Sequence, residues 1–144
     1  MPGDWTDYNG HMNEGRYGQL FSDAADGLMR MIGADAAYIE GGLSYFTVEI
    51  HTRFLEEAKV GDPVEVKTQV LEGKGKKMRL FHSLYHGDGR LLATGDQMLL
   101  HVDLNARKTC DPAPEVSAKL GEIAALHAAL PWPDAAGRAV GQRG

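Results

Sequence analysis

The stretch that decides the fold is residues 43–58, LSYFTVEIHTRFLEEA. Apolar and polar residues alternate along it with a period of two, which is typical of a half-buried β-strand. The alternation places on the predicted core face Phe46, Val48, Ile50 and Phe54. It places on the opposite face Tyr45, Thr47, Glu49, His51 and Arg53.

Further alternating runs follow at residues 64–71 (VEVKTQVL), 78–86 (MRLFHSLYH) and 90–103 (RLLATGDQMLLHVD). Turn signals separate the runs: GDP at 61–63, EGKGKK at 72–77 and GDG at 87–89. Short polar, glycine-containing connections between alternating runs are typical of hairpins. We therefore expect a four-stranded antiparallel meander of long strands.

Helical periodicity occurs in the sequence both before and after the predicted strands. Residues 14–32 predict a long amphipathic helix whose apolar stripe is Tyr17, Leu20, Phe21, Ala24, Leu28, Met31 and Ile32. Its glycines, at positions 15, 18 and 27, predict close packing of the helix backbone against the sheet. A second helix is predicted within residues 114–130 (PEVSAKLGEIAALHAAL). The result is an α+β fold with one domain at residues 1–130 and a C-terminal tail at residues 131–144.

Composition narrows the functional classes. The 144 residues are 43% apolar and 24% charged, which is ordinary for a globular domain with its own core. A net charge of −5 argues against general nucleic-acid binding. No apolar run is long enough to predict a membrane helix. The single cysteine, Cys110, excludes an internal disulfide framework and favours a cytoplasmic protein.

The sequence also lacks the common motifs for metal binding, for a serine nucleophile and for nucleotide binding. The pair His82 and His86 is predicted on one strand, where four residues span roughly 13 Å, too far to share a metal ion. No G-x-S-x-G elbow, Walker motif or dinucleotide glycine motif occurs. We therefore expect no metal site and no nucleotide cofactor.

The remaining polar cluster is residues 4–17, DWTDYNGHMNEGRY, which runs into the first predicted helix. In one interpretation Asn9 or Asn13 caps the helix and Asp7 interacts with its dipole. In the other, Asp7 lies beside the free N–H groups of the helix and Gly10 lets a ligand approach the backbone. Those N–H groups would polarise a carbonyl, and Asp7 would attack it or activate water. The local sequence leaves both interpretations open.

Residues 4–104 resemble the hotdog-fold acyl-CoA thioesterases, in particular the 4-hydroxybenzoyl-CoA thioesterase-like group. The segments that carry the resemblance are DYNGHMNE, TVEI, AKVGD and the hairpin-linked strands. A narrower resemblance, to betainyl-CoA thioesterases, is carried by DYNGHMNEGRY, SYFTVEIHTRFLEEAK, TQVL, LFHSL, QMLLHVD and AALPWPDAAGRA. The resemblance implies a sheet wrapped around one central helix, with hydrolysis of betainyl-CoA to glycine betaine and coenzyme A.

The resemblance also implies roles for particular residues. Asp7 aligns with the family's catalytic carboxylate and Gly10 opens the turn. The backbone N–H of Glu14 occupies the oxyanion-donor position, and Asn13 lies beside it. No cofactor is implied, since coenzyme A is part of the substrate.

Two further sets of residues are predicted around this centre. A quaternary ammonium cannot donate hydrogen bonds and is usually held by aromatic faces, with a carboxylate in support. The candidates for this group are Trp5, Tyr8, His11, Tyr45 and Phe46, with Glu49 as counter-charge. The phosphates of coenzyme A require cations. The candidates are Arg53, Lys76 and Arg79, with Lys59, Lys77 and Arg107 also available.

The family usually forms dimers with sites at the interface, so we expect a homodimer or homotetramer. Two alternatives to betainyl-CoA hydrolysis stay open. One is a thioesterase for another short-chain or aromatic acyl-CoA. The other is a hotdog module that binds acyl-CoA without hydrolysing it.

Overall fold

The computed structural model describes residues 14–59, 61–133 and 136–137, with only the backbone at residues 14 and 15. In chain order the elements are α1 (Glu14–Met31), α2 (Ala36–Glu40), β1 (Leu43–Phe54), β2 (Val64–Lys74), β3 (Lys77–His86), β4 (Leu91–Asp103), β5 (Lys108–Thr109) and α3 (Pro114–His127). All strand pairs are antiparallel. The predicted α+β class, with one long helix, long strands and a C-terminal helix, is confirmed. No helix in these residues is both long and apolar enough to cross a membrane.

The strand order differs from the predicted meander. The sheet runs β1-β4-β3-β2, with the short β5 also paired to β4. Strands β2, β3 and β4 do form consecutive hairpins, but β1 pairs with β4 instead of β2. The connection at residues 55–63 therefore crosses the sheet from one edge to the other. Alternation in the sequence identifies strands but does not identify their partners, so the meander prediction was wrong.

Helix α1 packs on one face of the sheet, which we call the inner face. Phe21 is fully buried and stacks on the ring of His82 in β3, with centroids 5.3 Å apart. A Cβ added to Gly95 of β4 would lie 2.7 Å from Phe21 Cδ2, so a side chain there would collide with the helix. Gly95 thus permits the close contact between α1 and the sheet.

Helix α3 covers the inner face beside β2. Leu120 packs over Gly73, where an added Cβ would lie 2.8 Å from Leu120 Cγ. The Val70 N–H of this edge strand donates a 2.8 Å hydrogen bond to His127 Nδ1. The edge of β2 is therefore partly covered, as unpaired strand edges generally are.

The prediction of close packing at the helix glycines was wrong for Gly18 and Gly27, and the side-chain surroundings of Gly15 lie outside what the structure describes. Apart from the backbone of the helix itself, no described residue would lie within 4 Å of a Cβ added at Gly18, and a Cβ added at Gly27 would meet only the Arg30 guanidinium at 3.7 Å. The glycines that allow close packing lie in the strands instead. The apolar stripe was also mistaken at one position, because Met31 is 68% exposed while Ile32 is fully buried.

A β-bulge divides β1, so the predicted faces are wrong for residues 45–47 before it, whereas Ile50 and Phe54 after it lie on the inner face as predicted. The register shifts between Thr47 and Glu49, so that Val48 is the extra residue. Residues that pair across strands share a face. Before the bulge Tyr45 lies on the inner face opposite His101, and after it Ile50 lies on the inner face opposite Gln97. A regular period of two puts these two residues on opposite faces, and the extra residue brings them to the same one.

Buried polar side chains connect the strands beneath α1. Gln97 Nε2 donates to Thr47 Oγ1 at 2.7 Å, so Gln97 Oε1 accepts from His82 Nε2, also at 2.7 Å. His82 Nδ1 then accepts from the Thr68 hydroxyl at 2.8 Å. This chain crosses all four long strands and is complete with a neutral His82. Burial lowers the pKa of His82, and the Gln97 bond opposes that shift only in part.

The residues described after α3 lie against the outer face of the sheet. The carbonyl of Pro131 accepts a hydrogen bond from Gln69 Nε2 at 3.3 Å. The Arg79 guanidinium lies over the Trp132 ring, 5.6 Å from its centroid. The Gly137 N–H donates to Asp96 Oδ2 at 2.7 Å. This part of the tail therefore contacts β2, β3 and β4.

Candidate active site

The start of α1 lies at one end of the sheet, where β1 ends. Tyr17, in the first turn of the helix, packs edge-to-face on Phe54 with ring centroids 5.0 Å apart. Burial raises the pKa of the Tyr17 hydroxyl, the Ala58 backbone hydrogen bond opposes the shift, and the Glu57 carboxylate adds to it. Phe54, the last residue of β1, and the loop that follows it therefore lie next to the first turn of α1, the helix whose start was predicted to be catalytic.

Helix α1 begins at Glu14, the residue whose N–H was predicted to hold the thioester oxygen. A helix of 18 residues carries a partial positive charge and free N–H groups at this end. The other residues predicted here lie outside the described residues: Asp7, Gly10 and Asn13 in the catalytic group, and Trp5, Tyr8 and His11 in the substrate group. Their roles stay predictions.

A charged cavity of about 480 Å³ opens at the same end of the sheet, lined by Glu56, Glu57, Lys59, Asp62, His86 and Arg90. Arg90 Nη1 binds Glu56 at 2.9 Å and Arg90 Nε binds Asp88 at 2.8 Å. The Lys59 N–H bond is the largest cause that holds the pKa of Asp62 below its usual value. Carboxylates therefore outnumber cations around this cavity.

Tyr45 does not reach this end. It is 4% exposed, and its ring lies 4.9 Å from that of His101. Residue 45 is roughly 30 Å along β1 from Phe54, by the usual rise of a strand. Its hydroxyl has no hydrogen-bond partner among the described residues, and burial raises its pKa to about 12. The prediction that Tyr45 contacts the substrate group beside α1 is not supported by its position within one chain.

His101, the second buried histidine, lies beside Tyr45 but forms its hydrogen bonds with other residues. Tyr38 accepts the Ala113 N–H at 3.1 Å and donates to His101 Nε2 at 2.6 Å. His101 Nδ1 then donates to the Cys110 carbonyl at 3.0 Å. Burial lowers the pKa of His101, and the ring is neutral in this arrangement. These bonds are complete without Tyr45, which leaves its hydroxyl unpartnered.

The predicted counter-charge and the aromatic residue beside it lie on the outer face. Glu49 pairs with Met98, and Phe46 pairs with Leu100. Phe46 is 52% exposed, although it was predicted in the core. Since α1 packs on the inner face, neither side chain joins the start of α1 within one chain.

The three cations predicted for coenzyme A are not brought together. Arg53 lies near the end of β1, while Lys76 lies at the opposite end, where its carbonyl accepts the His101 N–H at 2.8 Å. Arg79 binds Asp96 through two hydrogen bonds of 3.0 and 2.7 Å. The Nε and Nη2 groups of Arg79 are thus engaged by a carboxylate, whose charge offsets the positive charge that a phosphate contact would use.

Two residues near α1 were missed as site candidates. Phe54 was assigned to the core, yet it is 50% exposed and touches Tyr17. Glu57 lies close enough to raise the pKa of Tyr17. The signal was present in the run FLEEAK, residues 54–59, where two carboxylates directly follow an aromatic residue at a strand end.

The family model described as the thioesterase-like superfamily matches residues 2–120. An L-carnitine dehydrogenase/betainyl-CoA thioesterase of Ruegeria pomeroyi is 51% identical over 140 residues, which are 97% of this chain but 28% of that protein. The chain therefore spans just over a quarter of the fused relatives it matches. A betainyl-CoA thioesterase of Pseudomonas aeruginosa is 43% identical over 140 residues, 96% of this chain and 88% of that protein.

Solved structures agree on the fold. A putative thioesterase from Pseudomonas putida has a TM-score of 0.81 and 33% identity, covering 98% of this chain and 91% of its own. A hypothetical protein from Staphylococcus aureus, solved in complex with CoA, has a TM-score of 0.93 and 24% identity, covering 99% and 91%. The chain belongs to the thioesterase-like superfamily and has the hotdog fold predicted from its sequence.

Proposed function

We propose that the chain hydrolyses an acyl-CoA thioester, and that its substrate is betainyl-CoA, which yields glycine betaine and coenzyme A. The observation that carries this proposal is the 43% identity to a protein named betainyl-CoA thioesterase, over 96% of this chain and 88% of that protein. A match over nearly the whole of both chains supports a shared substrate more strongly than the shared fold does, since one fold hosts many functions.

In the proposed mechanism the first N–H groups of α1 hold the thioester oxygen as it becomes anionic. Removing one such donor typically costs on the order of 3 kcal/mol of barrier. Asp7 attacks the carbonyl or deprotonates the attacking water, and Asn13 positions the reacting group. Gly10 leaves room for the substrate beside the backbone. The chemistry needs no cofactor, because the sulfur leaves as the thiol of coenzyme A.

The residues beside the helix start suit a cationic acyl group. Phe54 offers a half-exposed aromatic ring next to Tyr17, and Glu57 brings a carboxylate to the same place. We propose that these two residues, with Trp5 and Tyr8 from the preceding segment, contact the quaternary ammonium. An aromatic face and a carboxylate are the groups that such a cation prefers.

We further propose that the protein acts as a homodimer paired through the β1 edge, or as a tetramer of such dimers. In the part of the chain that the structure describes, β1 is an edge strand paired on one side only, by β4, and such an edge presents backbone groups with which another strand can pair. It carries four half-exposed apolar residues, Phe46, Val48, Ile50 and Phe54, and the similarly exposed Leu55 directly follows it. Light scattering should report a dimer or tetramer for the wild type and a smaller species for Ile50→Lys. A monomeric wild type would contradict this assembly.

The substrate is tested by thiol release from betainyl-CoA, acetyl-CoA, butyryl-CoA and 4-hydroxybenzoyl-CoA. We expect betainyl-CoA to give the highest kcat/KM, and Asp7→Asn to lose at least a hundredfold. Asp23→Asn, in an exposed position of α1, is the matched control. Preference for an uncharged acyl group would overturn the betaine assignment and leave the thioesterase. Full activity of Asp7→Asn would remove Asp7 from the chemistry.

Absence of hydrolysis with every thioester, despite measurable binding of acyl-CoA, would favour the non-catalytic module instead.

We place the activity in the cytoplasm, where a partly exposed free thiol such as Cys110 stays reduced.

A further inference from the structure

Residues 55–63, the connection between β1 and β2, carry Glu57 past the start of α1. On the side of the helix, Ala58 is fully buried and its backbone forms a hydrogen bond with the Tyr17 hydroxyl. The Glu57 carboxylate lies close enough to the same hydroxyl to raise its pKa. A negative charge from this connection therefore acts at the first turn of α1.

Arg90, in the turn between β3 and β4, binds the preceding carboxylate of the connection. Its Nη1 donates to Glu56 Oε2 at 2.9 Å, and its Nε donates to Asp88 Oδ2 at 2.8 Å. The backbone N–H of Arg90 also donates to Asp88 Oδ1, at 3.0 Å. Asp88 thus fixes the guanidinium by one of its edges, and the Nη1 group reaches across to Glu56.

The backbone at Glu56 is fixed as well. The N–H groups of Leu55 and Glu56 both donate to the Leu92 carbonyl of β4, at 2.9 and 3.1 Å, which places a bend at these two residues. The side chain of Glu56 is bound to Arg90 and its backbone is bound to β4. These contacts restrict the direction in which the next residue, Glu57, leaves the bend.

The same turn supports the far end of the connection. The Pro63 carbonyl accepts the Gly87 N–H at 2.8 Å, and a Cβ added to Gly87 would lie 2.6 Å from Pro63 Cγ. His86 Nε2 lies 3.3 Å from Asp62 Oδ2, which also accepts the Lys59 N–H at 2.8 Å. The β3–β4 turn therefore contacts the connection near both of its ends.

The pair formed by Glu56 and Arg90 is a weak source of stability. Their side chains are 47% and 49% exposed, and ion pairs exposed to that extent contribute little to the free energy of unfolding. Glu56 and Glu57 are adjacent carboxylates, and their charges repel each other. A contact that adds little stability but fixes one of two repelling carboxylates is suited to directing the other.

We propose that Arg90 is a positioning residue that determines specificity: by holding Glu56, it orients Glu57 toward a quaternary ammonium at the start of α1. This inference rests on the proposed betainyl-CoA substrate and extends its recognition to a residue that acts through another. Arg90 and Glu57 line the same cavity of about 480 Å³. A guanidinium without carboxylate partners would repel a cationic acyl group there, and the bonds to Glu56 and Asp88 reduce that repulsion.

Positioning and charge alone predict different results when Arg90 is replaced. Arg90→Gln removes a positive charge from the cavity, which by charge alone would improve the binding of a cation. Arg90→Lys keeps the charge, so by charge alone it would change nothing. The single ammonium of lysine does not reproduce the two directed N–H groups of the guanidinium. Positioning therefore predicts that both variants lose specificity for the cationic acyl group.

The test compares kcat/KM for betainyl-CoA with kcat/KM for 3,3-dimethylbutanoyl-CoA, whose acyl group has the same shape but carries carbon in place of the charged nitrogen. We expect the ratio of the two values to fall at least about fivefold in both Arg90→Gln and Arg90→Lys, through a higher KM for betainyl-CoA. Arg30→Gln, in an exposed position of α1, is the matched control and should keep the wild-type ratio. A ratio that Arg90→Lys leaves unchanged would overturn the proposal. An equal loss with both thioesters would also overturn it, because that is the result of general damage to the fold.

A double-mutant cycle tests whether Arg90 acts through Glu57. Glu57→Gln should lower the ratio by itself, and adding Arg90→Lys to Glu57→Gln should change the ratio no further. Independent effects of the two substitutions would contradict this action through Glu57. A wild type that hydrolyses both thioesters equally well would overturn the betaine assignment and this proposal with it. A high wild-type ratio that is insensitive to Arg90 would remove only the role of Arg90.

Discussion

Replacing Gly95 with alanine is the sharpest test of how α1 is held on the sheet. The new Cβ would lie 2.7 Å from Phe21 Cδ2 and 2.9 Å from Cε2, closer than real Cβ contacts allow. The Phe21 ring is fully buried and stacked on His82, so it has little room to retreat. Overpacking of this kind costs about 1–3 kcal/mol. At about 3 °C per kcal/mol for a domain of this size, Tm should fall by about 3–10 °C.

The matched control is the same substitution in the facing helix. No described residue, the helix's own backbone apart, lies within 4 Å of a Cβ added to Gly18. Since alanine favours a helix over glycine by up to about 1 kcal/mol, Gly18→Ala should raise stability. Both variants add one methyl group, but urea unfolding should show a lower free energy of unfolding for Gly95→Ala and a higher one for Gly18→Ala. The difference between the two changes isolates the effect of the contact with Phe21.

A double-mutant cycle with Phe21→Leu locates the clash. The smaller side chain leaves space for the new methyl group, so the two changes together should cost less than the sum of their separate costs. Gly95→Ala should also lower kcat, because displacement of α1 moves the proposed oxyanion donors. A Gly95→Ala protein as stable as the wild type, or strictly additive costs, would refute this account of the packing.

Three further predictions concern buried polar groups. Tyr45→Phe should stabilise the protein by about 1 kcal/mol in urea unfolding, because an unsatisfied buried hydroxyl costs about 1–3 kcal/mol; a loss of stability would reveal a partner for it. Burial is the largest single influence on the pKa of Asp96 and raises it, but the Arg79 hydrogen bonds, the Gly137 N–H bond and the nearby positive charge of Arg79 together hold it below the usual value. A lowered folded-state pKa gives stability that is present above the unfolded value and lost as pH falls, so Asp96→Asn should weaken the protein at pH 7 and flatten its stability profile between about pH 5 and 3. Equal slopes for the two proteins would contradict that linkage. Burial also lowers the pKa of His82, so the ring should stay neutral in NMR titration at pH 6, and stability should decline as pH falls below about 6.5. An imidazolium signal at pH 6 in the folded protein would show that the hydrogen bonds to Gln97 and Thr68 are assigned wrongly.

Local patterns predicted the elements well because each element is amphipathic over several turns or strand repeats. The first helix was expected at residues 14–32 and spans Glu14–Met31, and each predicted run of alternation lies within one strand or overlaps most of it. The faces of β1 were predicted wrongly before the bulge, at residues 45–47, and correctly for Ile50 and Phe54 after it, because one extra residue, Val48, breaks the period of two between the two parts. No residue type marks that bulge in the sequence.

For the candidate site, too, the local sequence indicated some features, and contacts between distant residues decided others. The polar run at residues 4–17 directed attention to the start of α1, and the family resemblance singled out Asp7. Side-chain partners distant in sequence were not visible to pattern reasoning. Arg79 was predicted to bind phosphate, but Asp96 lies beside it on the neighbouring strand. Phe54 was assigned to the core, but α1 leaves the β1 side of the inner face partly open.

By itself the sequence determined the class of the protein: one long helix, long antiparallel strands, a C-terminal helix and a family whose chemistry lies at a helix start. These follow from periodicity and from local motifs, which short-range geometry controls. Tertiary structure alone decided that β1 pairs with β4, that Tyr45 is buried, and that Arg79 pairs with Asp96. Those outcomes depend on which distant strands meet and in which register, and that choice is made by the energy of the whole packed core.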